Sequence, residues 1–477
     1  MAERSEAIIG CGDGRAERGA AMVERLVVIG GDAAGMSAAS QARRRRKPED
    51  LEIVGFERGN YTSYSACGIP FWVGGVVDGP DALVARDPQT FRTKHAIDVR
   101  TRHEVVAIDL DRREVVVRAL DEGRESRTGF DQLVYATGAV PVAPRWPGSD
   151  ARGVFGVQTL DDGAAVRAYV DTERPARAVV VGAGYIGVEM AEALHNRGLE
   201  VTIVEKAEQP LSTVDPDMGD LVREAIEGLS IRMRTGETVR SIGVRDGRVT
   251  AVETDSATYP ADIVVLGLGV RPNTELAKRA GLPVGDRTDA VVTDRRMRVV
   301  GVDGIWAAGD CVQTNHLISG APVHVPLGTH ANKQGRVAGV NIGGGYATFP
   351  GVVGTAVTKV CDLEVARTGL TEREADRAGF GYITVTVEST NRAGYFPGAR
   401  TMTVKLIAER TSGRLLGAQI VGRREAAKRI DGLAIALWNG MTVEEMTGLD
   451  LGYAPPYAPV WDPILIAARK ATEKLTQ

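Results

Sequence analysis

The sequence predicts an α/β chain with two βαβ units followed by an α+β domain, and three observations carry that reading. Leu26 to Gly35 reads as an apolar strand, a glycine-rich turn and the start of a helix, and a second strand over Leu51–Phe56 ends on Glu57. Ala178 to Gly187 repeats the pattern, with a strand over Glu200–Val204 ending on Glu205. From about Tyr346 the texture becomes antiparallel-type strands, then a helix, which marks a separate α+β domain.

The first turn is Gly30-Gly-Asp32-Ala33-Ala34-Gly35, and its helix is predicted through Gln41 into the basic run Arg43–Lys47. The second is Gly182-Ala-Gly184-Tyr185-Ile186-Gly187, with a helix to about His195. Glycines at these spacings let the backbone turn tightly and approach a pyrophosphate, whose charge then sits at a helix N-terminus. An acid at the end of the next strand accepts hydrogen bonds from ribose hydroxyls; it stands 22 residues after Gly35 and 18 after Gly187. The second turn matches G-x-G-x-x-G throughout, whereas Asp32 stands where the first should have its middle glycine. Two such units in one chain point to two bound dinucleotides.

Short apolar strands ending in small residues follow. Leu133 to Gly138 leads into a proline-rich stretch, Pro141 to Pro147, that reads as a domain crossing, and Ile263 to Gly269 leads into Val270–Asn273, a second crossing. Gly304 to Asp310 sets an acid at a strand end. Strands are predicted over Tyr382–Val387, Thr401–Ala408 and Leu415–Val421, a helix near Lys428–Trp438, and a tail rich in Pro and Tyr.

Composition narrows the class. The 477 residues are 43% hydrophobic and 25% charged, as in an ordinary globular protein too long for one core. A net charge of −4 gives no global basic field for nucleic acid, and no apolar run reaches membrane-spanning length. The first 21 residues are expected to be a disordered extension, with Met22 a second candidate start. Four scattered cysteines (Cys11, Cys67, Cys311, Cys361) form neither a disulfide framework nor a metal-ligand set, so a cytoplasmic protein without a metal site is expected.

From Leu26 onward the chain resembles the pyridine nucleotide–disulfide oxidoreductase family. The resemblance is carried by both glycine turns, by Ala136-Thr137-Gly138, by Gly269 to Asn273, and by Ala308-Gly309-Asp310. It implies a glutathione-reductase-type arrangement: a discontinuous FAD domain (22–148 and 271–345), an inserted Rossmann-like NAD(P) domain (149–270) and a C-terminal dimerisation domain (346–477). By the same resemblance Gly30, Gly35 and Glu57 hold the adenosine half of FAD, and Asp310 its ribityl chain. Asp32, Ala33, Ala34, Arg58, Ser63, Ala136, Thr137, Gly138 and Gly269 belong to the cofactor-binding turns. Gly182, Gly184, Ile186, Gly187 and Glu205 hold the nicotinamide cofactor, with Tyr185 and Glu189 beside its ring. Glu205 favours NADH by repelling a 2′-phosphate, and Lys206 offsets part of that repulsion, which leaves NADPH admissible.

The stretch Ser63-Tyr-Ser-Ala-Cys67-Gly resembles the single-cysteine subgroup, because Trp72 stands where dithiol members carry a second cysteine. Cys67 is then the redox sulfur, forming a mixed disulfide with a small thiol or a sulfenic acid. The subgroup holds NADH peroxidases, NADH oxidases, coenzyme A disulfide reductases and persulfide reductases. Ala33 occupies the place of the histidine that marks the peroxidase and oxidase branch, and no histidine follows His330 to serve as the dithiol branch's proton donor. Tyr395 and Tyr453 match the two tyrosines that, in coenzyme A disulfide reductases, reach the cysteine from the partner subunit. The expected assembly is therefore a homodimer with a shared active site. Coenzyme A contacts are expected at Ser37, Gln41 and Arg44 on the first helix, and at Ser63, Lys94 and His95. Trp461 replaces a lysine usual in those reductases. Cys311 and Cys361 are expected to be packing residues, the latter in an apolar strand.

Overall fold

The computed structural model describes residues 23–477. The predicted extension over residues 1–21, Met22 and Cys11 lie outside them. Glu24–Ile29, Ala33–Arg43 and Leu51–Phe56 form the first strand–helix–strand unit. The first sheet is parallel, in the order Ile305–Ala307, Gln132–Tyr135, Glu24–Ile29, Leu51–Phe56, Asp98–Arg100. Its central strands are buried on both faces, which is why Leu26, Val27 and Val28 form an unbroken apolar run.

The second sheet repeats the plan. Arg232–Arg234, Glu200–Val204, Arg177–Val181, Ile263–Leu266 and Val154–Gly156 lie in that order, all parallel. Each unit also carries a three-stranded antiparallel meander, over residues 103–129 before Gln132–Tyr135 in one and over residues 239–260 before Ile263–Leu266 in the other. Both predicted crossings pair with each other. Ala139–Pro141 and Val270–Pro272 form a two-stranded antiparallel ribbon. The Tyr135 and Thr137 hydroxyls both donate to the Asn273 carbonyl at 2.7 Å and tie the ribbon to the first sheet.

The C-terminal sheet is antiparallel, in the order Ala356–Val360, Leu363–Gly369, Leu415–Arg423, Thr401–Glu409, Tyr382–Thr390. Its first two strands were anticipated only as a single apolar strand around Cys361. Two further expectations need correction. Cys361 sits in the turn joining those strands, with a left-handed φ of +60°, rather than in a strand. The tail ends in a helix, Pro463–Leu475, whose apolar face (Ile464, Ala467, Ala468, Ala471) packs on the sheet. No helix among the described residues is long and apolar enough to cross a membrane.

Candidate active site

The two glycine turns have nearly the same backbone. Gly30 and Gly182 adopt φ of +106° and +100°, a region that L side chains avoid. A Cβ on Gly35 would stand 2.0 Å from the Gly30 carbonyl oxygen, and one on Gly187 1.9 Å from that of Gly182. The acids close each turn. Glu57 accepts the N–H groups of Gly31 (2.8 Å) and Gly59 (2.7 Å), and Glu205 those of Ala183 (2.6 Å) and Ala207 (2.8 Å). Each carboxylate therefore braces its turn with one lone pair per oxygen and keeps the others for a ligand.

One cavity of about 1320 Å³ joins the two turns. Gly30, Asp32, Ala33, Ala34, Glu57 and Arg58 line one end, and Gly182, Gly184, Tyr185, Ile186, Glu205 and Lys206 the other. Cys67, Ala136, Thr137, Gly138, Glu189, Gly269 and Asp310 line it as well. Of the predicted cofactor residues only Gly35, Gly187 and Ser63 are off its wall, and these act through the backbone of the turns and the neighbouring loop.

Burial raises the Asp310 carboxyl to about 6. Burial also raises Glu189, against a hydrogen bond from Thr358 Oγ1 at 2.7 Å. Cys67 lies in a one-turn 3₁₀ segment, Ala66–Gly68, that leads into the helix Ile69–Val73. Cys67 is exposed to the open cavity, yet the protein crowding around it raises its thiol by loss of solvation first, then by the Glu189 and Asp310 carboxylates. No other cysteine among the described residues lines the cavity; Cys311 is fully buried behind Tyr135 and Ala308.

Three wall residues were missed by sequence reasoning. His324 Nε2 lies 2.7 Å from the Asp310 carbonyl, which can only accept, so Nε2 carries the proton. Asn332, one turn into the helix Gly328–Ile342, accepts from Ser37 Oγ at 2.8 Å. Glu237 lies beside Glu205, and the Tyr259 hydroxyl donates to it at 2.7 Å. A polar helix start at Gly328-Thr-His-Ala-Asn332 was the one available signal.

The remaining predicted residues lie off the cavity within one chain. Gln41 accepts from Arg45 at 3.0 Å. Arg44, Arg86 and Lys94 surround His95, whose pKa is lowered by burial and then by those cations. Arg86 thus joins a basic patch that the sequence had suggested only in part. Tyr395 and Tyr453 are neighbours, Tyr395 helping to raise the Tyr453 phenol, and they are 78% and 49% exposed, open to a second copy of the chain. The Arg469 guanidinium stacks over Trp461, 4.8 Å from its centroid.

Comparison with known proteins agrees with this geometry. Residues 24–335 match the family described as pyridine nucleotide-disulphide oxidoreductase, and residues 355–463 match its dimerisation domain. The NAD(P)H coenzyme A polysulfide/persulfide reductase of Pyrococcus horikoshii is 39% identical over 449 residues, covering 94% of this chain and 98% of that protein. The coenzyme A disulfide reductase of Staphylococcus haemolyticus is 29% identical over 452 residues, covering 94% and 100%. A solved structure of an NAD-dependent persulfide reductase from A. fulgidus superposes with a TM-score of 0.91 at 41% identity, covering 94% of this chain and 83% of that one. With both nucleotide turns, the joining cavity and the C-terminal sheet in place, the chain belongs to the pyridine nucleotide-disulphide oxidoreductase family.

Proposed function

We propose that this protein uses NAD(P)H to reduce coenzyme A disulfide or coenzyme A persulfide, with Cys67 as the sulfur that meets the acceptor. One observation carries the reading. Cys67 is the sole thiol among the described residues on the wall of a cavity that reaches from one nucleotide turn to the other. The basic patch of Arg44, Arg86, Lys94 and His95 supports a polyanionic acceptor, and the named activities of the relatives support an acceptor built on coenzyme A.

The first unit fits FAD. Its turn has no room for a side chain at Gly35, Glu57 keeps lone pairs for a ribose, and Asp310 faces the same cavity. Bound FAD would supply the two-electron relay between nicotinamide and sulfur. The second unit holds the reductant, with Glu205 accepting from its ribose and Lys206 beside it. Cys67 in its thiolate form attacks the acceptor disulfide, a Cys67–S–S–CoA bond forms, and coenzyme A thiolate leaves. Two electrons then cleave that bond, releasing Cys67 thiolate and a second coenzyme A thiolate. Tyr453 and Tyr395 of a second copy donate to the departing sulfur, which makes the homodimer part of the site. The family's dependence on FAD and NAD(P)H agrees with this division of labour.

The test is NADH consumption under argon. Turnover with coenzyme A disulfide or persulfide, lost in Cys67→Ser while the flavin is still reduced, is the expected result. Consumption only in air would move the assignment to an oxidase working through a cysteine sulfenic acid.

A further inference from the structure

The loop that carries Cys67 is held against the first glycine turn by two hydrogen bonds, and the duplicated unit shows which of them is special. Six residues after each acid, Ser63 and Leu211 adopt left-handed φ of +47° and +46°. Each donates its backbone N–H to the second residue of its turn: Ser63 to the Gly31 carbonyl at 3.0 Å, Leu211 to that of Ala183 at 2.8 Å. This first clamp belongs to the fold, because both units have it. The second clamp does not. The Tyr64 N–H donates to Asp32 Oδ1 at 3.1 Å, whereas the equivalent turn position in the other unit is Gly184, which has no side chain to offer.

Sterics do not explain that difference. A Cβ on Gly184 would meet no protein atom within 4 Å, so the fold of the turn itself leaves room for a side chain there. Nor is Asp32 there to cap its helix. It stands at the N-cap of Ala33–Arg43 with extended backbone, where aspartate normally accepts from the first turn, yet it makes no capping bond. Its carboxylate reaches instead to a loop 32 residues away, and only in the unit whose loop carries a sulfur.

We infer that Asp32 is a positioning residue for the redox cysteine: it replaces the middle glycine of the first turn in order to fix the Tyr64–Cys67 segment over the cavity. The inference rests on the reading of Cys67 as the redox sulfur. A hydrogen bond from a backbone N–H to a carboxylate is short-range and directional, so losing it loosens Tyr64 from the glycine turn, three residues before the sulfur, while Ser63 stays clamped and Ser65 still donates to the Leu83 carbonyl at 2.8 Å.

The experiment compares the purified flavin-containing wild type with Asp32→Gly, which copies the second turn, and Asp32→Asn, which keeps an acceptor oxygen. Each is reduced with NADH without oxygen, and Cys67 alkylation by iodoacetamide is followed against pH, together with the rate at which coenzyme A disulfide reoxidises the flavin. With rates taken per bound flavin and relative to reduction by NADH, D32G is expected to slow about tenfold in reoxidation and to shift the pH profile of alkylation; D32N is expected to recover most of the rate. Loss of FAD from D32G, equal damage in D32N, or an unchanged profile and rate in D32G would each overturn the inference. A wild type whose Cys67 is not exposed to alkylation by NADH would instead sink the underlying redox reading, and the two failures are thereby distinguished.

Discussion

The two nucleotide-binding units share a sheet order, a meander, a glycine turn, a bracing acid and a clamped loop, yet their loops do different work. Ten residues after Glu57 stands Cys67; ten residues after Glu205 stands Asp215. The first faces the cavity as a lone sulfur. The second is buried, accepts from Gln419 Nε2 at 2.6 Å, and lies 3.2 Å from Lys405 Nζ of the C-terminal domain. Asp217 and Glu372 join the same ammonium at 2.7 and 2.5 Å. The duplicated fold thus supplies a rigid loop twice, and side-chain chemistry decides whether that loop meets a substrate or docks a neighbouring domain. A scaffold of this kind can be specialised at one position without disturbing the turn beneath it.

The largest effect should come from breaking each turn in the same way. Gly35→Ala and Gly187→Ala place a methyl about 2 Å from a carbonyl oxygen, closer than any real contact, so each turn must open. G187A is expected to keep FAD and lose NADH-driven flavin reduction by 100-fold or more, on the order of 3 kcal/mol or above in transition-state terms. G35A is expected to purify without flavin. Flavin content and anaerobic reduction kinetics check both, and a G187A protein that loses FAD would show the turns are not independent.

Next in size is the docking loop. Lys405 is 3% exposed and balances three carboxylates, of which Asp215 is buried while Asp217 and Glu372 reach solvent, so Lys405→Met leaves Asp215 buried without its cation. Removing one partner of a fully buried ion pair typically costs about 3–5 kcal/mol, and solvent screening of Asp217 and Glu372 brings the cost here below that range. K405M is therefore expected to unfold at lower denaturant concentration while Cys67 keeps its reactivity per folded molecule. A variant with wild-type stability would remove the cluster as the tether between the second unit and the C-terminal domain.

What could be read from the sequence follows from the range of each interaction. The turns and acids were legible because local backbone geometry fixes their spacing, and Cys67 because the residues around it form a continuous motif. The equivalence of Ser63 and Leu211 was not legible, since it lies in a shared φ and not in side-chain type. The meanders escaped because strands such as Arg124–Gly129 are short, polar and largely exposed, and so carry no hydrophobic alternation. Arg86, His324 and Glu237 join the site only through tertiary contacts, and no local pattern marks them. Asp32 was visible as a departure from the motif, but its partner at Tyr64 was not.

A smaller effect separates the two acids. Glu205→Gln keeps one oxygen for Ala183 or Ala207 and turns an amide toward the other N–H, so the second turn loosens and the charge that repels a 2′-phosphate is lost. The ratio of kcat/KM for NADH over NADPH is expected to fall about tenfold, roughly 1.4 kcal/mol. Glu57→Gln makes the same change in the first turn and should leave that ratio alone while weakening FAD retention. If E205Q left the ratio unchanged, cofactor choice would have to come from elsewhere on the wall, with Glu237 the first candidate.

The smallest effect tests the one residue the second unit lacks. Burial raises the Asp32 carboxyl from its ordinary 3.8 to about 7, against the Tyr64 N–H that favours ionisation, and Glu57 and Asp310 add to the rise. The folded flavin-free protein therefore holds this proton more tightly than the unfolded chain does. Stability from Asp32 is intact below about pH 4 and is lost progressively as pH rises to about 7, where the buried carboxylate carries its full ionisation penalty. Asp310, raised to about 6, contributes a fall of the same sign in wild type and variant alike. Asp32→Asn cannot ionise, so the melting temperature of the flavin-free wild type should drop relative to D32N between pH 4.5 and 7.5, by on the order of a few °C. Parallel melting curves for the two proteins across that range would mean that the carboxylate ionises in the fold as freely as in water, and that burial imposes nothing on the residue separating the first turn from the second.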